Sequence, residues 1–274
     1  MTSLAELERT LSDRGWIAMD LPDPQPVFAV RDQLLTRLRS ESLPALERLD
    51  DYHTLVTDDE RHIATLHDLA TFYGDRRFGR GIIAANLDLF RGLVGGDLHV
   101  QKHPYLRAVR PGRVTDAAPI HRDTYYGASP FEVSVLVPFT EVDAAGAMRV
   151  ISGSHLAPDR DYPFEQHQSE DVTIRSPKHQ LGFPYAPKLL DPSLMERAEP
   201  VPLKVGQALI FGLSLVHGGG INTGTRTRFS SDIRVANSLA PVQWSRGVAA
   251  EYFEPLCSTV ITRTARSYLA ANDS

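Results

Sequence analysis

The chain is short of most features that would set it apart from an ordinary water-soluble protein. A single cysteine, Cys257, in 274 residues excludes an intramolecular disulfide and any cysteine-built metal cluster, and fits a reducing cytoplasm. There is no excess of positive charge. Lys and Arg number 29 against 34 Asp and Glu, a formal net charge of -5, so no basic field draws the protein to nucleic acid. No apolar run approaches the length of a membrane span, and Met1 to Trp16 lacks the apolar stretch of a secretory leader. Internal repeats and low-complexity segments are missing too. What remains, 42% hydrophobic and 23% charged residues, is ample for one sizeable core, and one catalytic unit spanning 1–274 is expected rather than two.

Helical periodicity dominates the first third of the chain and strand patterns the rest. Apolar spacing predicts helices over 2–13, 27–40, 61–73 and 82–94, with a strand at Ile17–Met19. Short strands are expected near 98–102, 105–110, 118–123, 132–139, 147–151, 172–175, 201–203, 207–212, 227–236 and 242–244, between Gly, Pro and Asp turns. Helices first and strands afterwards argue for an α+β chain with a jelly-roll barrel at its core. Residues 1–97 would be helical support, 98–245 the barrel and 246–274 a C-terminal segment. Inside the barrel, 156–200 is a long, Pro-rich insertion, expected as a lid that Tyr162, His167, His179, Phe183 and Tyr185 would line; a loop packed by its own aromatics is the alternative.

The chemistry is concentrated at Ile120-His121-Arg122-Asp123-Thr124. In extended backbone, residues i and i+2 point the same way, so His121 and Asp123 can grip one ion while Arg122 faces the other side. A third ligand can come from a distant strand. His217 lies 96 residues after His121, at the end of the apolar run 207–212 and before glycines that permit close approach. Two imidazoles and a carboxylate leave open positions on an octahedral ion, which suits Fe(II) that must also bind a co-substrate and dioxygen. His155 is the rival third ligand. Eleven residues beyond His217 comes Arg228, and period two places it with Ser230, Asp232 and Arg234 on one face. A guanidinium there can take a carboxylate bidentately. Periodicity alone does not separate Arg228 from Arg226.

Taken with Val135 to Asp143, Gly146 to His155 and His217 through Asn222 to Arg228, these residues make the chain resemble the phytanoyl-CoA hydroxylase-like branch of the Fe(II)/2-oxoglutarate-dependent dioxygenases, over about 100–240. The resemblance implies a double-stranded β-helix with N-terminal helices packed on it. It implies Fe(II) held by His121, Asp123 and His217, and 2-oxoglutarate chelating the iron with its far carboxylate on Arg228. It assigns His155 to the fold, and it favours Arg228 over Arg226 because Asn222 and Arg228 fall where the family has an Asn and its co-substrate Arg. Ser230 would add a hydrogen bond to that carboxylate, and Arg107 on an earlier strand could face the same interior.

The implied reaction spends 2-oxoglutarate and dioxygen to oxidise an unactivated C–H bond, giving hydroxylation, desaturation or ring closure. Chlorination is disfavoured because Asp123 fills the position that halogenases of this superfamily leave for chloride. Arg122, Asp116, Tyr125, Tyr126, Glu132 and Tyr162 make a polar neighbourhood, so the expected substrate is a small sugar-like, aminocyclitol or amino-acid-like secondary metabolite, as in antibiotic biosynthesis. Two other classes fit parts of the pattern. A cupin-type metalloenzyme, such as a sugar isomerase or ring-cleaving dioxygenase, would need no 2-oxoglutarate and no Arg228, and a non-catalytic binding barrel would be expected to have lost a ligand.

Overall fold

Strand β11 (Arg228–Asn237) organises the molecule, because its two faces do different things. Phe229, Ile233 and Val235 join a large apolar cluster with helical side chains, which by alternation turns Arg228, Ser230, Asp232 and Arg234 the other way. A computed structural model of the chain describes residues 3–165, 188–191, 193–240 and 252–272.

β11 pairs antiparallel with β4 (Glu132–Pro138) on one side and with β2 (Leu98–Gln101) and β3 (Tyr105–Val109) on the other. The sheet continues through β9 (Gln207–Gly212) to β1 (Trp16–Asp20) at one edge and to β12 (Phe253–Cys257) at the other. Facing it is a smaller antiparallel sheet of β10 (His217–Gly218), β5 (Met148–Val150) and β8 (Glu199–Val201). Leu136, Leu209 and Phe211 of the large sheet meet Met148, Val150 and Val201 of the small one. The result is the α+β chain with a double-stranded β-helix that the sequence predicts. A two-stranded ribbon, β6 (Phe164–Glu165) with β7 (Lys188–Leu189), lies outside both sheets.

Helices cover the outer face of the large sheet. They are α1 (Leu4–Arg14), α2 (Gln25–Glu41), α3 (Tyr52–Leu55), α4 (Asp59–Asp75), α5 (Phe78–Ala85) and α6 (Leu87–Val94). In α2 the buried positions Val27, Val30, Leu34 and Leu38 follow helical spacing, and each such side chain contributes about 1.5–3 kcal/mol by leaving water. The helix expected over 82–94 is two helices. At the break, the Asn86 side chain donates to the Ile82 and Asp23 carbonyls, both at 3.0 Å, and so takes an acceptor that a continuing helix would use.

The strand expected at 118–123 is also different. It reduces to a single bridge, His121 with His217, after which Asp123–Tyr126 coils into a 3-10 turn. A short helix α7 (Leu194–Arg197) precedes β8, and α8 (Val260–Asn272) closes the chain beyond β12. The strands expected at 172–175 and 242–244, and the lid residues His167, His179, Phe183 and Tyr185, lie outside the described residues. Among the described residues, no helix is long and apolar enough to cross a membrane.

Candidate active site

The bridge holds two chain segments together by reciprocal backbone bonds, His121 N to His217 O at 2.7 Å and His217 N to His121 O at 2.9 Å. Gly218 makes this approach possible, since a Cβ there would stand 2.7 Å from the Ile120 Cα. Arg122 is extended, with φ −114° and ψ 140°, so His121 and Asp123 share a side although no ladder continues past them. The amides of Asp123 and Thr124 both donate to the Leu213 carbonyl, at 3.1 and 3.3 Å, which fixes the start of the turn.

Each imidazole is oriented by a backbone carbonyl. His121 Nδ1 donates to Pro119 O at 2.7 Å and His217 Nδ1 to Leu215 O at 3.0 Å. Carbonyls only accept, so the protons sit on Nδ1, which makes Nε2 the ligating atom of each ring. Those Nε2 atoms lie 3.5 and 3.6 Å from the two oxygens of Asp123. All three side chains are buried, and their donor atoms fall within 4.8 Å of one another. Burial pushes the Asp123 carboxyl up, but Arg234, His217 and His121 more than offset it and hold the group well below the usual carboxylate range. Burial drags His217 down to about 4 against the pull of Asp123. The site therefore presents two imidazoles and one carboxylate, a donor set suited to Fe(II) with open positions.

Arg228 and Ser230 form a second cluster on β11. The guanidinium is buried and donates from Nη1 to Gly146 O at 2.8 Å. Its Nε and the Ser230 hydroxyl, both buried, have no partner among the described residues. Burial lowers the Arg228 pKa to about 10, with Asp232 working against it and Arg107 with it. A desolvated cation with a spare donor, on the same face of β11 as a hydroxyl, is suited to receive an anion. A metalloenzyme that needs no oxo acid has no use for this arrangement. Arg107 sits opposite Ser230 on β3 and pairs with Asp232 through Nε at 2.6 Å.

Other sequence expectations are relocated. Arg226 is exposed in the turn before β11, outside the cluster, where its carbonyl accepts from Asn222 Nδ2 at 2.8 Å. Asn222 is the buried organiser of that turn, also donating to Val109 O at 3.0 Å. Arg122 is no pocket residue. It points away from the trio and donates to Asp159, Ser154 O and Ala157 O at 2.5, 2.6 and 2.9 Å. Tyr162 stacks on that guanidinium at 4.7 Å, and Tyr125 donates to the Tyr162 carbonyl while its ring stacks on Phe164 at 3.8 Å. These three residues fasten the 154–165 stretch to the barrel. The side chain of Tyr126 lies outside the described residues. Asp116 belongs to a buried pair with Arg110 beneath α4, and His155 bonds to Ser12 O at 2.9 Å, remote from the ion site.

Residues the sequence reading had not placed join the site instead. Arg234, which alternation sets on the same face as Arg228, donates to Asp123 Oδ2. Tyr252, at the edge of β12, lies within electrostatic reach of Arg234, and Tyr105 of β3 within reach of Tyr252. Only the register of β3 and β12 brings them there. Period two would have found Tyr105, but nothing marks Tyr252.

The phytanoyl-CoA dioxygenase model matches residues 31–230, which include the ion-site trio, Arg228 and Ser230. The chain belongs to the phytanoyl-CoA dioxygenase family. It is accordingly an Fe(II)/2-oxoglutarate-dependent dioxygenase, with Fe(II), 2-oxoglutarate and dioxygen as its cofactor and co-substrates. Among solved structures, the chain is similar to the non-heme monooxygenase ThoJ in its apo form, at 20% identity and TM-score 0.55, over 92% of this chain and 84% of that one. It is also similar to the epimerase SnoN in complex with Fe3+, alpha ketoglutarate and nogalamycin RO, at 17% identity and TM-score 0.50, over 94% and 95%. At these identities the likeness is one of fold. No curated protein matches the sequence.

Proposed function

We propose that His121, Asp123 and His217 hold Fe(II), that Arg228 and Ser230 grip the far carboxylate of 2-oxoglutarate with Arg107 beside them, and that the protein oxidises an unactivated C–H bond of a small polar secondary metabolite. The observation that carries this reading is the pairing of two features on one barrel interior: the ligating atoms of His121, Asp123 and His217 within 4.8 Å of one another, and a buried guanidinium NH and a buried hydroxyl on β11 with no partner among the described residues.

Bound Fe(II), with 2-oxoglutarate and dioxygen, supplies the oxidising power that takes hydrogen from carbon. The chain supplies placement. Pro119 O and Leu215 O fix the imidazoles, Arg234 fixes Asp123, and the buried β11 wall excludes water from the co-substrate. Around Tyr252, the wall carries Tyr105, Arg234, Glu132 and Asp123. Burial raises the Glu132 carboxyl to about 7 despite Arg234 and the Ser129 amide. Carboxyl, phenol and guanidinium groups around one space give it a polar lining, which favours a ligand rich in hydroxyls or amines over a long acyl chain. A sugar-like or aminocyclitol molecule fits that wall, and hydroxylation, desaturation and ring closure are all open to it.

Succinate release from 2-oxoglutarate tests the substrate class. With Fe(II) and oxygen present, aminocyclitols, amino sugars and glycosylated metabolites should stimulate turnover above the substrate-free rate. Stimulation by long-chain acyl-coenzyme A alone would overturn the polar-substrate reading.

A further inference from the structure

In the turn Ser152-Gly153-Ser154-His155, three of the four residues bond the N-terminal stretch 12–16. Ser152 Oγ accepts from Trp16 Nε1 at 2.8 Å and bonds Glu199. Gly153, at φ +78°, donates its amide to Arg14 O at 2.9 Å. His155 Nε2 donates to Ser12 O, and the His155 carbonyl accepts from Ser214 Oγ at 3.2 Å.

Ser154 is placed differently from its neighbours. It is 2% exposed. Its Oγ accepts the Val216 amide at 2.8 Å, one residue before His217. Its carbonyl accepts Arg122 Nη2 at 2.6 Å, and Arg122 stands between His121 and Asp123. The Ile151 amide adds a bond to Val216 O at 2.9 Å. One residue thus touches both arms that carry the three ion ligands.

We propose that Ser154 and Arg122 are positioning residues for the metal site, forming a joint that sets how the His217 arm sits against the His121–Asp123 arm. The inference rests on the reading of His121, Asp123 and His217 as ligands. Besides the joint, the arms are tied by backbone bonds alone: the His121–His217 bridge, the Asp123 and Thr124 amides on Leu213 O, and the Gly219 and Gly220 amides on Ala118 O. The joint adds side-chain bonds to these backbone ties, so the three donor atoms converge without the ion having to gather them. Tyr162, stacked on Arg122, and Asp159, bonded to it, keep the guanidinium from swinging away. Groups that orient ligands in this indirect way typically change metal affinity about 10–100-fold when removed.

Anaerobic titration of the full chain with Co(II) alone, alongside thermal unfolding of the metal-free protein, tests the joint. Ser154→Ala removes the Val216 bond and Arg122→Met removes the guanidinium bonds. Each should weaken Co(II) binding about tenfold or more. Ser152→Ala, in the same turn but bonded to neither arm, should lower the melting temperature and leave Co(II) affinity at the wild-type value. Should Arg122→Met fail to fold, the comparison of Ser154→Ala with Ser152→Ala decides. Asp123→Ala separates the two levels of the argument. If it abolishes Co(II) binding and Ser154→Ala binds like wild type, the ligand reading stands and the joint is overturned. If it binds Co(II) like wild type, the ligand reading falls and the joint falls with it.

Discussion

Arg234 Nη1 donates to Asp123 Oδ2 at 2.7 Å, and both side chains are buried. The contact keeps a desolvated carboxylate ionised and occupies one of its oxygens. It also makes each residue costly to remove singly, because the survivor is left as an unpaired buried charge. In metal-free protein, Asp123→Ala should lower unfolding free energy by about 3 kcal/mol or more. Adding Arg234→Leu should restore most of the loss, as read from urea unfolding. A double variant no more stable than the single one would mean that the pair is not the cause.

The co-substrate anchor can be assigned by comparing two arginines. Arg228→Ala should weaken 2-oxoglutarate binding by about 100-fold, the usual consequence of truncating one partner of a buried, hydrogen-bonded charge pair. Arg226→Ala should leave it unchanged, because that side chain is exposed outside the pocket. Binding measured anaerobically in the presence of Fe(II) would reverse the assignment if the two effects were exchanged.

The choice between His217 and His155 is open to the same kind of comparison. His217→Ala should abolish Fe(II) binding. His155→Ala should keep it and instead destabilise the fold by about 1 kcal/mol, the worth of one hydrogen bond, because its Nε2 ties α1 to the barrel. Loss of iron from the His155 variant would contradict this.

Two buried histidines give the metal-free protein an acid dependence. Burial holds both His62 and His217 at about 4, against an ordinary value of 6.5. Between these values the unfolded chain binds more protons than the folded one. Their contribution is therefore complete above about pH 6.5 and is lost as pH falls through 4. His62→Phe, which leaves the ion site intact, should reduce the slope of stability against pH across this window, where the Glu132 carboxyl, raised to about 7, works in the opposite direction. An unchanged slope would exclude His62 from the effect.

The ion-site trio was legible because its pattern is local twice over: one extended residue sets His121 and Asp123 on the same side, and an apolar strand ends just before His217. Strand β9 matches its expected span, 207–212, for the same reason, as an apolar run bounded by turns. Arg122 was harder to place. Alternation turned it away from the ion, but its acceptors, the carbonyls of Ser154 and Ala157, lie 32 and 35 residues away and leave no trace in the local sequence. A charged side chain is ordinarily read as exposed or as facing a ligand; this one is buried because a distant turn offers it carbonyls. Arg226 and Arg228 share a face by period two, so only the true start of β11 separates them. Tyr252 reaches the site through the pairing of β12 with β2, a contact between chain segments about 150 residues apart that no periodicity encodes.

The central claim is that one barrel interior holds Fe(II) on His121, Asp123 and His217 and 2-oxoglutarate on Arg228. Anaerobic addition of Fe(II) and then 2-oxoglutarate to the purified protein, followed by visible absorption, tests it most directly. The account predicts a weak metal-to-ligand charge-transfer band that appears only when both are present, disappears in Asp123→Ala, and needs far more 2-oxoglutarate to form in Arg228→Ala. Iron binding without the band in wild type, or an undiminished band in Asp123→Ala, would contradict it.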